Sequence, residues 1–342
     1  MLTLNKPPRL RPGDKAALVS LSWGAAGRPD IRWRYELGKR RLEEQFGLRV
    51  VEMPHTCAPE DDVSAHPEDR AADLMAAFAD DSVKAVFNVI GGSDSIRMLP
   101  YIDFDLLRAH PKIFTGYSDG TVTDFICMKA GLRSFYGAHV LNDFGEPGEM
   151  PPYTAELVRR MLFSGETVGD VAASPVVSER ETAWDDPAAR RVYGPDFGYV
   201  PLQGGKARGP LIGGCFEVFE DLKDTVLFPP LSDFDGAVFF YEVCGQPGEE
   251  KYRARLRWYG ERGVLARVGG LLMGKPLGGR PCFDLYNRVT REVLAEYGRA
   301  DLPVLTNASF GHNSPSGVIP MGALAEIDCD AGTFAVLEST VL

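Results

Sequence analysis

The pentapeptide Gly116-Tyr117-Ser118-Asp119-Gly120 follows an apolar run at 112–116 and opens a helical stretch at 121–130. This G-x-S-x-G pattern, in a strand-turn-helix setting, is how a nucleophilic serine is lifted clear of a sheet. Its glycines permit a sharp turn, and the helix N-terminus offers amide N–H groups and a positive dipole end to a developing oxyanion. A Gly-Ser helix cap explains the same residues without chemistry. A serine nucleophile needs a base, and the chain has five histidines. His110 ends a helical segment, and His55 and His66 lie in a Pro-rich connection; His139 follows the extended run after the elbow helix and could line the same sheet edge. His312 occupies a small-residue loop directly after the apolar run 303–306, the kind of loop where α/β sites assemble, and is the expected base. Glu242 ends the apolar run 237–241, where a carboxylate is costly unless partnered. It is the expected orienter of the imidazole.

An oxyanion hole usually takes one N–H from the residue after the nucleophile, here Asp119, and a second from a separate glycine-rich loop. The loop 91–95, Gly-Gly-Ser-Asp-Ser, follows the apolar run 83–90, and Gly92 or Ser93 is the expected second donor. Gly91 and Asp94 of this loop are candidate substrate contacts. The loop lacks a Walker lysine and a full G-x-G-x-x-G, so it is a poor nucleotide-phosphate cradle. There is no H-E-x-x-H, and no thiolates and imidazoles cluster along the chain, so neither a metal nor another cofactor is expected.

Strand-like runs at 15–20, 48–53, 83–90 and 112–116 alternate with helical stretches at 30–45, from Ser64 through Phe78, and at 121–130. That alternation predicts a parallel sheet covered on both faces. From about 146 to 205 the pattern weakens into Pro, Gly and Asp, as a linker or lid would. The expected division is a nucleophile domain at 1–165, a linker or lid at 166–204, and a second domain at 205–342 bearing Glu242 and His312. Beyond the break, 213–222 reads as a loop entering a helix, 237–241 and 268–273 as strands, and 249–262 and 283–297 as helices.

The 342 residues are long enough for two domains, and 37 Lys+Arg against 48 Asp+Glu give a formal charge of −11. That charge disfavours nucleic acid and anionic membranes as partners. The longest apolar runs are too short to span a bilayer, and the first residues lack the apolar core of a signal peptide. Six scattered cysteines without a C-x-x-C pair read as free thiols, which predicts a cytoplasmic protein.

Taken together, IGGSDSIRMLPYID (90–103), FTGYSDGT (114–121), SFYGAHV (134–140), GPLIGG (209–214), VFFYE (238–242) and FGHNSPSGVIPMGA (310–323) resemble the LD-carboxypeptidase family of serine peptidases over nearly the whole chain. The resemblance implies an α/β fold: an N-terminal parallel-sheet (Rossmann/flavodoxin-like) domain and a C-terminal mixed α/β domain with a swivelling or barrel-like sheet. It implies a triad of Ser118, Glu242 and His312 at the seam between them. One branch of the family trims D-alanine from muropeptides; the other confers microcin C immunity by cutting the amide between a peptidyl aspartate and a nucleotide. The wording of several segments is more like the immunity branch, which implies a small peptide or peptidyl-nucleotide substrate. In that branch a tryptophan of the inserted loop stacks on the nucleobase, a role implied for Trp184, whose alternative is a hydrophobic plug at the interface. Three positions depart from the family pattern: Cys215 replaces the usual Asn of Gly-Gly-Asn, Val243 follows Glu242 where Asp is common, and His139 replaces a proline. Cys215 thus stands where an amide could hold substrate, unless it packs as a small hydrophobe. A homodimer is compatible with this picture. Two rivals stay open: a silent peptide- or nucleotide-binding protein using the same cleft, and an ordinary α/β-hydrolase, which predicts one continuous sheet.

Overall fold

The computed structural model describes residues 2–178 and 182–342. Five short runs, β1 (Lys15–Val19), β2 (Arg49–Glu52), β3 (Val83–Asn88), β4 (Ile113–Gly116) and β5 (Phe135–Tyr136), pair in parallel in the order β2-β1-β3-β4-β5. β1, β3 and β4 are buried almost throughout, because helices cover both faces, and this is why they read as unbroken apolar runs. The order matches flavodoxin-like sheets, whose ligands bind beyond the strand C-termini where the winding reverses, here between β1 and β3. Helices Arg32–Glu44, Pro67–Ala79 and Phe104–Ala109 make the crossovers between successive strands.

The remaining strands are β6 (Gly169–Asp170), β7 (Val176–Val177), β8 (Gly194–Pro195), β9 (Val200–Gln203), β10 (Lys206–Cys215), β11 (Val238–Glu242), β12 (Gly270–Gly274), β13 (Val304–Ala308), β14 (Ile319–Pro320), β15 (Leu324–Asp328) and β16 (Thr333–Val336). Eight of them form a second, mixed sheet in the order β6-β16-β15-β10-β11-β12-β13-β9, with β10 to β13 parallel and antiparallel strands on both sides. β14 pairs antiparallel with β5, so a late segment of the chain completes the edge of the first sheet. The stretch 166–204 contributes β6 and β9, the two outer strands of the second sheet, and the small β7–β8 ribbon. Residues 179–181 of that stretch lie outside the described residues. Two separate sheets of six and eight strands are not the single continuous sheet of an α/β-hydrolase. Among the described residues no helix is long and apolar enough to cross a membrane.

One expectation fails plainly: residues 213–215 are not a loop but the end of the ten-residue strand β10. Its glycines mimic a loop in the sequence, yet they serve close packing. A Cβ at Gly209 would sit 2.0 Å from the Gly236 carbonyl oxygen, and one at Gly213 only 1.7 Å from that of Phe240. At Gly214 the obstacle is Thr121, 2.6 Å away, on the helix Thr121–Lys129 that follows the serine elbow. The Cys215 amide then donates to Thr121 Oγ1 at 2.9 Å. Through this contact the end of β10 in the second sheet abuts the elbow of the first.

Gly213→Ala is expected to destabilise the protein by at least about 3 kcal/mol, the upper range for overpacking, because the obstacle is backbone. Denaturant unfolding monitored by fluorescence reads this as a lowered midpoint; an unchanged midpoint would mean that the two strands separate at little cost.

Candidate active site

Ser118 lies one residue beyond β4, after Tyr117, and begins a short 3-10 turn, Ser118–Gly120, that runs into helix Thr121–Lys129. Its φ is +57°, a left-handed conformation that a serine adopts only where its surroundings impose it. Here they do so through several bonds. Gly120 N–H donates to the Tyr117 carbonyl at 2.9 Å, and Thr121 Oγ1 donates to the Ser118 carbonyl at 2.7 Å. Ser118 N–H donates to the Tyr136 hydroxyl at 3.3 Å. A Cβ at Gly91 would lie 2.9 Å from Ser118 Oγ and 3.4 Å from the Asp119 nitrogen, so glycine is needed where the loop after β3 meets the serine.

Glu242 ends β11 with 1% of its surface exposed. Its Oε1 accepts from His312 Nδ1 at 2.9 Å and from the Tyr136 hydroxyl at 2.7 Å. With the proton on Nδ1 held by the carboxylate, Nε2 is the nitrogen left to exchange a proton with a neighbour. Gly311, at φ +96°, lets the His312 loop press on the carboxylate, since a Cβ there would sit 2.4 Å from Glu242 Cγ. Burial by itself would lower the His312 pKa, but the charge of Glu242 and its hydrogen bond outweigh burial and raise it to about 9.

Ser118 and His312 line one cavity of about 490 Å³, open to solvent, whose walls include Trp23, Trp184, Arg28 and Asn142. Among the described residues no hydrogen bond joins Ser118 Oγ to His312. Such contacts are commonly loose before substrate arrives and tighten in the complex. Gly91 and Gly92 line the same cavity. Trp184 faces it with its ring 5.5 Å from that of Trp23, and the Arg34 guanidinium lies 4.9 Å over its ring. His139 also reaches the cavity, but its Nε2 accepts the Tyr117 N–H at 3.0 Å and its ring stacks on Tyr117. Burial, with His312 nearby, holds its pKa well below the ordinary histidine value.

Several expected contacts are corrected by the geometry. The Ser93 N–H donates to Ser22 Oγ, in the connection after β1, at 3.0 Å, so it is already engaged and leaves Gly92 beside Asp119 as the remaining candidate pair of donors. Asp94 is tied to Arg70 at 2.8 Å and Arg97 at 3.0 Å and does not line the cavity; it anchors the loop. Cys215 is fully buried beneath the site, across the strand pair from Glu242. It cannot touch a ligand in this cavity. Thiolates and imidazoles do not cluster along the chain, but the fold brings Cys215, Glu217 and Cys244 together with ligand atoms within 4.8 Å of one another.

Sequence reasoning missed Tyr136, whose hydroxyl joins the Ser118 amide to the Glu242 carboxylate. Nothing in its local pattern marks it, apart from its place in an apolar run beside the elbow strand. Trp23 was also missed, although its position just beyond β1 at the winding reversal is a signal that could have found it.

Comparison with known proteins adds an independent line. Residues 16–137 match the family described as LD-carboxypeptidase N-terminal domain, and residues 208–327 the LD-carboxypeptidase C-terminal domain. Among curated proteins, the chain is 29% identical over 340 residues to the probable murein peptide carboxypeptidase of Bacillus subtilis, covering 98% of this chain and 95% of that protein. It is 25% identical over 281 residues to the microcin C7 self-immunity protein MccF of Escherichia coli, covering 79% and 78%. Among solved structures, an MccF-like protein from Streptococcus pneumoniae in complex with AMP superposes with a TM-score of 0.87 at 30% identity, covering 95% of this chain and 98% of that one.

His312 is expected to titrate near pH 9, read from its imidazole resonances by NMR. Because the folded value lies above the unfolded one, this pair contributes stability below about pH 6.5 that is lost as pH rises through about 9. Glu242→Gln removes the charge and is expected to lower the midpoint by at least about one pH unit. A midpoint that Glu242→Gln leaves in place would mean that another group holds the proton.

Proposed function

The chain belongs to the LD-carboxypeptidase family and is a serine carboxypeptidase-type hydrolase, and from that premise we propose that Ser118, His312 and Glu242 hydrolyse an amide at the C-terminal end of a peptidyl- or aminoacyl-nucleotide. His312 Nε2 takes the Ser118 proton as Oγ attacks the amide carbonyl, and the Asp119 and Gly92 N–H groups receive the oxyanion. The same imidazole passes that proton to the leaving nitrogen. Water then attacks the ester, giving its proton to His312, and the acid product leaves with Ser118 restored. Glu242 holds the imidazole in the required tautomer and balances its charge. The observation that carries this reading is that His312, paired with Glu242 at 2.9 Å, faces the same cavity as a serine held at φ +57°.

The substrate class rests on the walls of that cavity. Trp184 and Trp23 offer aromatic faces of the kind on which a nucleobase stacks, and the MccF-like relative from Streptococcus pneumoniae is a complex with AMP. Similarity to the murein peptide carboxypeptidase supports a second reading, in which the leaving group is a D-amino acid of a cell-wall peptide.

Ser118→Ala is expected to lower kcat by about 10⁴- to 10⁶-fold with folding intact, measured by product release under saturating substrate. An unchanged rate would overturn the nucleophile. For the wild type, kcat/KM for an aspartyl-adenylate amide analogue should exceed that for an L,D-tetrapeptide by at least about 10-fold, and Trp184→Ala should raise KM for the nucleotide substrate about 10-fold. A larger kcat/KM for the tetrapeptide would assign the chain to the cell-wall reading. With either substrate kcat/KM should climb from neutral pH towards about 9 as His312 sheds its proton.

A further inference from the structure

The proposed hydrolysis gives no role to a group of ligating side chains on the far side of Glu242. β10 and β11 run in parallel with Cys215 opposite Glu242, and the chain leaving β11 reaches Cys244 two residues later. Cys215 Sγ lies 3.5 Å from Glu217 Oε2, and the two sulfurs and the carboxylate oxygen all fall within 4.8 Å of one another. No other such group of three occurs among the described residues. From these side chains we propose a binding site for a thiolate-seeking divalent cation, of the zinc or cadmium class, whose occupancy slows hydrolysis at Ser118.

The parts suit that ligand. Two thiolates and a carboxylate are the donors that zinc takes, at roughly 2.3 Å to sulfur and 2.0–2.2 Å to oxygen, and small rotations of three side chains already this close bring them onto one ion. Glu217 is held for the purpose. Its Oε2 accepts the Cys244 N–H and its Oε1 the Gly245 N–H, both at 3.1 Å, with Arg255 3.7 Å away on the Oε1 side. Such outer contacts orient a ligand and strengthen its hold. Cys215 is fully buried and fixed, whereas Cys244 and Glu217 are half-buried, so an ion can enter from their side and keep water in a fourth position. Binding displaces the thiol protons to solvent.

The site also lies where it can be felt. Two thiolates and a carboxylate offset the charge of the ion, so its effect on Glu242 is one of position: Cys215 is paired opposite Glu242 and Cys244 lies two residues beyond it, and drawing both onto one ion shifts the carboxylate that orients His312. Cation binding stands independently of the substrate proposed above; only its effect on rate depends on that reading.

The test adds Cd²⁺ to the reduced full-length protein and follows the ultraviolet thiolate-to-cadmium absorption. One equivalent should saturate a band that Cys215→Ser and Cys244→Ser each weaken by at least about 10-fold in affinity and that Cys282→Ser leaves in place. Cys244→Ser, at a half-buried position, keeps the test decisive if the buried Cys215→Ser fails to fold. Hydrolysis should fall along the same isotherm and return on chelation. No band, or a band that survives Cys244→Ser unchanged, overturns the site; a band without loss of rate overturns its effect on hydrolysis.

Discussion

A carboxylate at the buried end of a central strand has to be met by hydrogen-bond donors, and the way Glu242 is met organises this molecule. Its donors come from opposite halves of the chain: His312 from the loop after β13, and Tyr136 from β5 of the first sheet. Tyr136 in turn receives the Ser118 N–H. One oxygen atom thereby ties the elbow to the imidazole loop, although the two lie on different sheets. The other oxygen, Oε2, is buried without a donor among the described residues, against Gly311. A charge kept in such a place is costly, and it is sustained by the imidazole it holds protonated up to about pH 9.

Around this contact hydrogen bonds join residues on either side of Trp184 to the loop bearing His312. Ser178 and Ser314 exchange backbone hydrogen bonds, and Tyr193 bonds Ser314 through their hydroxyls at 2.9 Å. Lys275, buried, pairs with Asp196 at 3.2 Å and bonds Ser309, while its carbonyl accepts from Asn313 beside His312. The loop bearing His312 is thus held by Ser178 and Tyr193, which lie on either side of Trp184 in the chain.

Much of this was legible in the sequence for physical reasons. Buried parallel strands are short apolar runs, and an elbow serine needs glycines on either side, so β1, β3, β4 and Ser118 stand out. Glu242 stands out because an acid ending an apolar run demands a partner. What stayed hidden depends on pairing between distant segments. β10 looks like a loop because glycine marks both flexibility and close approach, and only the neighbouring Phe240 carbonyl tells which applies. β6 and β9 are too short to show periodicity, so the stretch 166–204 reads as a linker although it supplies both edges of the second sheet. Tyr136 and the Cys215–Cys244 pair carry no local motif; their roles exist only once the strands are laid side by side.

The central claim is that the Ser118 hydroxyl is made reactive by an imidazole that Glu242 orients. The most direct measurement is covalent labelling with a serine-directed fluorophosphonate, followed by peptide mass mapping and by the rate of adduct formation. A single adduct on Ser118, formed far more slowly in His312→Gln, is the predicted result. An adduct confined to other residues, or one forming on Ser118 at the same rate without the imidazole, would contradict it.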